Sequence, residues 1–295
     1  MDGIINVLKP PGMTSFDVVG FLRRVLKTTK IGHTGTLDPA AVGVLPVCIG
    51  KATKIIEFMT DKDKVYRAEM TLGISTDTQD GLGNIISQRP VGVSADEIIR
   101  VFNDFTGKQQ QIPPMYSAIK INGKKLYELA RKGITVERKP RDIEIHFLRI
   151  LNVFHDNRVL FDVGCSKGTY IRTLCSDIGD KLGTGAHMSF LVRLDAGGFN
   201  IKDSITVEEI EDYAIKGVLE RYVTPIDKAF SDYGSYVVDD PHEKKLLNGC
   251  SIEITGKGFI DGELIRIYNR NNVFIALGTV TIKSGKVLLK SKKCF

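Results

Sequence analysis

Residues 65–74, VYRAEMTLGI, constrain the possible folds more than any other segment of the chain. Polar and apolar side chains alternate strictly along it, which is typical of a β-strand with one buried face and not of a helix. The expected buried face carries Tyr66, Ala68, Met70 and Leu72. Two more strand-like segments, 142–150 and 158–165, are separated by a short polar turn. They predict a β-hairpin, and therefore an antiparallel component in the sheet.

Helices are predicted by capping boxes, in which Ser or Thr is followed three residues later by Asp or Glu. These boxes are at Thr14–Asp17, Ser94–Glu97 and Thr206–Glu209, each before apolar residues at helical spacing. Helices and strands mix without a regular βαβ alternation, and no internal repeat is visible. The pattern predicts an α+β fold on a mixed, mostly antiparallel sheet.

The composition of the chain changes near residue 231. Residues 232–295 contain short strand-like runs between Gly-rich turns, the pattern of a small, closed or nearly closed, β-barrel-like domain. They carry 10 Lys/Arg against 7 Asp/Glu, a net +3, whereas residues 1–231 carry 31 against 28, the same +3 on a much longer segment. We therefore predict two domains, 1–231 and 232–295, joined by the linker SDYGS. The basic smaller domain suits a polyanionic partner.

Cysteine and histidine spacing argues against a disulfide framework and a zinc site. Five cysteines include no C-x-x-C pair, and five histidines form no H-x-x-x-H pair, so we expect reduced thiols and neither metal nor cofactor. The longest uncharged apolar run, residues 41–50, is far too short to span a membrane. The first residues lack the pattern of a secretion signal. We expect a cytoplasmic protein with no membrane partner.

A basic excursion at about residues 108–140 interrupts the strand pattern. Its part at 113–140 contains seven Lys/Arg against two Glu, interleaved with two tyrosines. Cations suit phosphates and aromatic rings suit bases or sugars, so the excursion could contact RNA, and a solvated helical face is the alternative. The candidate RNA contacts are Lys120, Lys124 and Arg131.

The stretch at 32–46, GHTGTLDPAAVGVLP, holds a single carboxylate, Asp38. The Asp-Pro pair could simply begin a turn. Alternatively, the small residues around Asp38 admit a ligand, and a nearby guanidinium would lower the pKa of the carboxylate so that it could act as a nucleophile. Arg172 lies off the apolar stripe of a predicted helix, so it is either that guanidinium or a solvated arginine. Tyr66 is either a core tyrosine or an active-site ring.

Several segments taken together resemble the TruB family of tRNA pseudouridine synthases. They are GHTGTLDPAAVGVLPVCIGKATK, KVYRAEMTLGISTDTQDGLG, QIPPMYSAIKINGKKLYELARKG and CSKGTYIRTLCSDIG, together with INVLKPPGMTS, which resembles the N-terminal motif of that family. The resemblance covers about residues 3–200. It implies a pseudouridine synthase catalytic domain. In placement and β character, residues 232–295 resemble the PUA domain that is usually found at the C-terminus of family members.

The resemblance implies a role for each candidate residue. Asp38 matches the catalytic aspartate, Arg172 the arginine paired with it, and Tyr66 the tyrosine that stacks on the target uracil. His33 matches the residue that enters the RNA loop when the base leaves it, and Leu191 an apolar residue beside the uracil. The implied reaction isomerises uridine to pseudouridine at position 55 in the T loop of tRNA, by base flipping and nucleophilic catalysis at C6 or C1′.

Two other functions share parts of this pattern. An RNA-guided pseudouridine synthase of a ribonucleoprotein has the same catalytic core, and a non-catalytic RNA-binding or chaperone protein would keep Asp38 as a structural residue. The basic excursion and the sequence around Asp38, HTGTLDPAAVGVLP, favour the stand-alone bacterial type. We therefore expect a monomer that binds the T stem-loop of tRNA without guide RNA or protein partner. Lys9 and Pro10 are expected to support the active-site loop. The segment TDTQDGLG (76–83) lacks the residue spacing of a calcium-binding loop, so no calcium site is expected there.

Overall fold

The structure is a computed structural model that describes residues 1–121, 123–256 and 258–295. Asn122, in the basic excursion, and Lys257, in the C-terminal segment, lie outside the described residues. Within those ranges, the first 231 residues contain β1 (Gly3–Lys9), β2 (Ile31–His33), β3 (Val42–Ile49), β4 (Lys64–Leu72), β5 (Ile74–Thr76), β6 (Ile85–Gln88), β7 (Gly107–Gln111), β8 (Lys120–Ile121), β9 (Lys124–Lys125), β10 (Arg141–Val153), β11 (Arg158–Cys165), β12 (Ala186–Ala196), β13 (Phe199–Asn200) and β14 (Val223–Thr224). The C-terminal strands are β15 (Ser235–Val237), β16 (Ile252–Glu253), β17 (Leu264–Tyr268), β18 (Phe274–Lys283) and β19 (Lys286–Cys294).

The α-helices lie between the strands without regular alternation. They are α1 (Ser15–Leu26), α2 (Ile56–Thr60), α3 (Ala95–Asp104), α4 (Leu126–Ala130), α5 (Ile171–Lys181), α6 (Val207–Ile215) and α7 (Asp240–Leu247). The three predicted capping boxes are confirmed at the starts of α1, α3 and α6. None of the helices in the described ranges is long and apolar enough to cross a membrane.

The large sheet has the strand order β14-β1-β3-β12-β4-β11-β10-β7; off this path, β2 pairs with β3 and β13 pairs with β12. Along this path the β3–β12 pair is parallel and the other pairs are antiparallel. The predicted hairpin is confirmed as β10 and β11. Strand β4 is also confirmed but ends at Leu72, because Gly73 adopts φ +86° and a Cβ there would lie 2.7 Å from the Val91 side chain. The predicted α+β fold on a mixed, mostly antiparallel sheet is confirmed.

Two apolar clusters hold helices against the large sheet. In the first, α3 and α5 pack on β4 and β11, and the Phe102 and Phe161 rings meet edge to face at 5.3 Å. In the second, α1 and α6 pack on β1 and β3 through Val18, Leu22 and Ile210. Burying a side chain of this size stabilises the fold by about 1.5–3 kcal/mol. The sheet is therefore a rigid support for the loops at its edge.

Residues 232–295 form a separate five-stranded sheet in the order β15-β17-β18-β19-β16. It is an open sheet in the described residues, since its pairing runs in one path between two edge strands. The predicted SDYGS linker is not a free tether. The Tyr233 ring stacks on Phe230 at 5.5 Å, and Asp232 pairs with Lys62 at 2.9 Å. An apolar cluster that includes Leu277 and Ile55 joins the two sheets.

Candidate active site

Asp38 lies in the loop 34–41, between β2 and β3. The Ala41 amide donates to the Asp38 carbonyl at 3.1 Å, so the Asp-Pro pair does begin a turn. The Gly12 amide donates to the Pro39 carbonyl at 2.8 Å and fastens the loop to the segment that follows β1. The turn interpretation therefore describes the backbone at Asp38, and the side chain has to be considered separately.

Lys9 is a fully buried lysine beneath this loop. Its Nζ donates to the carbonyls of Met13 at 2.6 Å, Pro10 at 2.9 Å and Pro39 at 3.2 Å. Burial lowers the pKa of Lys9 to about 8, and the Asp38 carboxylate opposes this change. The three hydrogen bonds join the N-terminal motif to the Asp38 loop, which fits the expected supporting role of Lys9 and Pro10.

Arg172 contacts both oxygens of the Asp38 carboxylate. Its Nε lies 3.0 Å from Oδ2, and its Nη2 donates to Oδ1 at 3.4 Å. The exposed fraction of the side chain is 7% for Arg172 and 38% for Asp38. A nearly buried guanidinium thus holds a carboxylate that remains open to solvent on one side. The interpretation of Arg172 as a solvated arginine is therefore wrong.

Two neighbouring segments cover Arg172 and use its other N–H groups. Its Nη2 donates to the Tyr116 carbonyl at 2.8 Å, and its Nη1 to the Thr78 carbonyl at 3.4 Å. Tyr116 belongs to the basic excursion, and Thr78 to the loop between β5 and β6. Because Arg172 lies in the first turn of α5, it is buried by segments distant in sequence and not by the apolar stripe of its own helix.

A second carboxylate, Asp80, reaches the same guanidinium: its Oδ2 lies 3.7 Å from Arg172 Nη1. The pKa of Asp38 is raised, mainly by burial, with Asp80 adding to the rise and Arg172 and Lys9 opposing it. The sequence argument expected a guanidinium to lower the pKa of Asp38. Arg172 does act in that direction, but the loss of solvation outweighs it.

Tyr66 and Leu191 lie on one face of two neighbouring strands. In the register of β4 with β12, Leu191 is opposite Ala68 and Arg193 is opposite Tyr66, and directly opposed residues share a face. Leu191 is buried and Tyr66 is half-buried. Burial raises the pKa of the Tyr66 hydroxyl, while the adjacent Arg193 guanidinium opposes that rise. The face offers an aromatic ring and an apolar side chain next to each other.

His33 is the last residue of β2, just before the Asp38 loop. Its Nδ1 accepts a hydrogen bond from the Gly35 amide at 3.3 Å. Burial lowers the pKa of His33, and the Arg193 charge lowers it further, so the ring is neutral at pH 7. A neutral imidazole can stack or hydrogen-bond without adding a cation to the site.

The three predicted RNA contacts of the excursion lie outside this group. Lys120, Lys124 and Arg131 are exposed, and in the described residues none of them bonds to the Asp38 carboxylate. Arg131 lies over the Tyr127 ring at 5.5 Å. The structure thus brings together Asp38, Arg172 and their surrounding loops, and leaves these cations on the surface of the excursion.

Sequence reasoning missed Asp80 and Arg193. Asp80 lies in TDTQDGLG, which was considered only as a calcium loop, although an acidic turn after a strand is a common place for functional groups. Arg193 is 1% exposed, and its Nε and Nη2 donate to the carbonyls of Val44 at 2.7 Å and Gly35 at 3.1 Å. An arginine inside the apolar alternation of HMSFLVRL was the available signal.

Comparison with known proteins identifies similar chains. The chain is 49% identical over 280 residues to the tRNA pseudouridine synthase B of Clostridium kluyveri, covering 94% of this chain and 95% of that protein. It is 44% identical to that of Bacillus subtilis, covering 94% and 92%. Among solved structures, it matches a chain in the crystal structure of a Cbf5-Nop10-Gar1 complex with a TM-score of 0.78 and 30% identity, covering 99% of this chain and 84% of that chain.

Two family descriptions match consecutive parts of the sequence. Residues 23–171 match the N-terminal domain of the TruB family pseudouridylate synthases, and residues 172–231 match the tRNA pseudouridylate synthase B C-terminal domain. The first match alone covers half of the chain, and it contains Asp38, Tyr66 and Asp80. The resemblance read from the sequence is confirmed: this chain belongs to the TruB family of pseudouridylate synthases.

Proposed function

We propose that this chain isomerises uridine to pseudouridine at position 55 in the T loop of tRNA, with Asp38 as the nucleophile. One observation carries the assignment of Asp38: its carboxylate is partly open to solvent while a nearly buried Arg172 holds both of its oxygens. Such a pairing opposes the effect of burial on the pKa of the carboxylate and orients the carboxylate toward the opening. The names of the relatives support tRNA as the substrate.

The reaction balances without an external group. The bond between ribose C1′ and uracil N1 breaks, and a bond between C1′ and C5 forms. The C5 hydrogen leaves as a proton and N1 gains one, so nothing is oxidised or reduced. Asp38 forms a covalent bond to C6 or C1′ of the uridine, and this bond breaks in a later step. Arg172 stabilises the negative charge that then returns to the carboxylate.

The other site residues act on the flipped base. A uridine stacked in an RNA loop hides C1′ and C6, so it must leave the stack at a cost of a few kcal/mol. Tyr66 and Leu191, which share a face beside Arg193, would hold the uracil by stacking and apolar contact. His33 would enter the loop and replace the stacking that the uridine has lost.

The exposed basic surfaces bind the rest of the RNA. Lys120, Lys124 and Arg131 of the excursion would contact the phosphates of the T stem. Residues 232–295, with their own sheet and a net +3 charge, would act as a PUA-like RNA-binding domain beside the catalytic domain of residues 1–231. The relative in the Cbf5-Nop10-Gar1 complex is found with protein partners. The excursion and the bacterial relatives favour a monomer that acts without a guide RNA or a protein partner.

The test is incubation of the purified chain with unmodified tRNA carrying tritium at uridine C5. We expect tritium release and a single pseudouridine in the T loop, with no guide RNA added. An isolated T-arm stem-loop should react with kcat/KM within about two orders of magnitude of whole tRNA, because loops of this kind are recognised locally by shape.

Each alternative predicts another result. If only whole tRNA reacts, recognition by local shape is wrong. If release requires a guide RNA, the RNA-guided function is correct. If the chain binds tRNA and releases no tritium under any condition, it is a binding protein and Asp38 is structural.

A further inference from the structure

The exposed face of α1 has an unusual composition. Besides Asp17, its exposed residues are Phe16, Gly20, Arg23 and Arg24, and the exposed C-cap residue Lys27 follows them, at spacings of 4, 3, 1 and 3 residues. These spacings put all five on one side of the helix. The face therefore begins with an aromatic ring, continues with a glycine and ends with three cations. From Phe16 to Lys27 it is about 16 Å long at 1.5 Å per residue.

The fold does not require a glycine at position 20. It lies in the interior of α1, where glycine is among the least favourable residues. A Cβ built on Gly20 meets no heavy atom within 4 Å, so neither close packing nor a left-handed backbone conformation requires it. A glycine that leaves open space on an exposed face lets a ligand backbone approach the helix closely.

The cations of this face are not balanced by carboxylates. Among the described residues, Arg23, Arg24, Lys27 and the nearby Lys30 form no ion pair with Asp or Glu. The one acid of the face, Asp17, accepts hydrogen bonds from Thr14 in the capping box. Cations in a last turn also favour the helix dipole, but that role does not explain Gly20 or Phe16.

Phe16 is fixed beside the candidate active site. Its side chain is 71% exposed, the highest value among the exposed aromatic rings of the described residues, and it meets His33 edge to face at 5.8 Å. The neighbouring Ser15 accepts a hydrogen bond from the Leu37 amide at 2.9 Å, one residue before Asp38. The start of α1 is thus joined to the Asp38 loop, and its exposed face runs away from the site.

We infer that this face of α1 binds the RNA strand next to the flipped uridine. Phe16 stacks on a base or ribose beside His33, Gly20 lets the RNA backbone approach the helix, and Arg24 and Lys27 contact successive phosphates. The partner is the tRNA substrate itself, which the positive charge and the open glycine both fit. The inference rests on the proposed function, because it takes His33 as the residue that enters the loop.

The first test measures tRNA binding by the Arg24→Gln/Lys27→Gln variant across a salt series. Arg23 is left intact because its Nη2 donates to the Ile31 carbonyl at 3.1 Å and supports β2. Losing two phosphate contacts should lower the slope of log K against log salt by about 1.4–1.8, since each contact contributes roughly 0.7 on a single strand and roughly 0.9 on a duplex. The matched control, with the same loss of charge, is Arg149→Gln/Lys202→Gln; both residues are exposed, and Arg149 is opposite Asp162 on the face of the sheet away from Tyr66.

The second test compares Gly20→Leu with Gly20→Ala. A Cβ at Gly20 meets no heavy atom within 4 Å, and both residues favour helix more than glycine, so the thermal unfolding midpoint should not fall. A purely structural Gly20 predicts normal binding in both variants. Our inference predicts that Gly20→Leu weakens tRNA binding at least about tenfold, with kcat at saturating tRNA unchanged. Gly20→Ala should weaken tRNA binding by a smaller factor. If Gly20→Leu does not fold, Gly20→Ala and the charge variant carry the test.

Binding and turnover separate this inference from the proposed function. Normal Kd and salt slope in both the charge variant and the glycine variants would overturn the inference, even if the wild type modifies tRNA. An equal change of slope in Arg149→Gln/Lys202→Gln would also overturn it, because the effect would then be general to surface charge. A wild type that binds tRNA and forms no pseudouridine would overturn the proposed function instead.

Discussion

The Asp38 pocket and the 113–140 excursion meet at Arg172 and are built in opposite ways. In the pocket, charged groups are fixed by several partners each: Arg172 bonds to Asp38, Tyr116 and Thr78 at 2.8–3.4 Å. In the excursion most of the cations are exposed, although Arg138 donates to the Pro113 carbonyl at 3.0 Å. Lys124 is exposed, and the Lys125 ammonium donates to the Tyr127 hydroxyl at 3.3 Å.

We expect this difference to divide the two roles: the pocket determines the rate of the chemical step, and the excursion contributes to tRNA affinity. Removing one partner of a buried ion pair costs about 3–5 kcal/mol, because the other charge is left without compensation. An exposed ion contact contributes about 0.2–1 kcal/mol. Changes in the pocket should therefore reduce kcat by large factors, whereas changes in the excursion should raise KM by small ones. Variants of each region test this division.

Asp38→Asn should have the largest effect. An amide cannot form the covalent intermediate, so we expect kcat to fall by about four orders of magnitude or more, the scale seen when a nucleophile is removed. A nucleophile adds little to ground-state binding, and tRNA affinity should stay within about tenfold of wild type. Tritium release and a filter-binding Kd on the same preparation measure the two quantities. Robust turnover, with wild-type contamination excluded, would end the nucleophile assignment.

Arg172→Lys comes next. One ammonium cannot replace a planar guanidinium that contacts both oxygens of Asp38 and the Tyr116 carbonyl. We expect kcat to fall about a hundredfold, which corresponds to roughly 2.7 kcal/mol of transition-state stabilisation. The exposed Arg149→Lys is the control and should be neutral. A near-normal kcat with an intact fold would show that the pair is not needed for chemistry.

Local patterns in the sequence predicted much of the scaffold. The capping boxes of α1, α3 and α6, the alternation of β4 and the β10–β11 hairpin depend on residues close in sequence, and all are present. The residues that position Arg172 could not be found in this way. Its helix pattern places it off the apolar stripe, and its guanidinium donates to the carbonyls of Tyr116 and Thr78, which lie 56 and 94 residues away.

The linker shows the same limit. Residues 231–235 look like a flexible connection, but Phe230 and Tyr233 pack where the two sheets meet, and Lys54 donates to the Cys294 carbonyl at 2.6 Å. Removing residues 232–295 would therefore expose apolar surface on the catalytic part. Substituting basic residues tests RNA binding by the C-terminal segment better than deleting it, because the apolar contact stays in place.

Asp80→Asn should sharpen the description of the pocket. Burial raises the pKa of Asp38 and the Asp80 charge adds to the rise, so the nucleophile loses its charge at a higher pH than an ordinary aspartate. Without the Asp80 charge, the acid limb of kcat/KM should move toward lower pH. At neutral pH, kcat should fall about tenfold, or roughly 1.4 kcal/mol, because Arg172 loses one of its two carboxylates.

The control for this variant is Asp77→Asn. Asp77 lies in the same loop and accepts a hydrogen bond from the Asn84 amide at 2.9 Å, without reaching Arg172. It should leave the acid limb where it is. An equal shift in both variants would mean that the loop, and not the charge of Asp80, sets the ionisation of Asp38.

The smallest effects belong to the excursion. Lys124→Gln should raise KM for tRNA about threefold and leave kcat unchanged, because one exposed contact to a phosphate is worth less than about 1 kcal/mol. The triple variant Lys120→Gln/Lys124→Gln/Arg131→Gln should also lower the salt slope of binding by about 2.1–2.7, at roughly 0.7–0.9 for each phosphate contact. The control variant replaces three exposed cations outside the excursion and so loses the same charge. These cations are Arg149, Lys202 and Lys228. If the control lowers the slope as much, the excursion has no special part in RNA binding. If the triple variant lowers kcat at saturating tRNA, the excursion acts on the chemistry through Tyr116 and Arg172, and the division between the two regions is wrong.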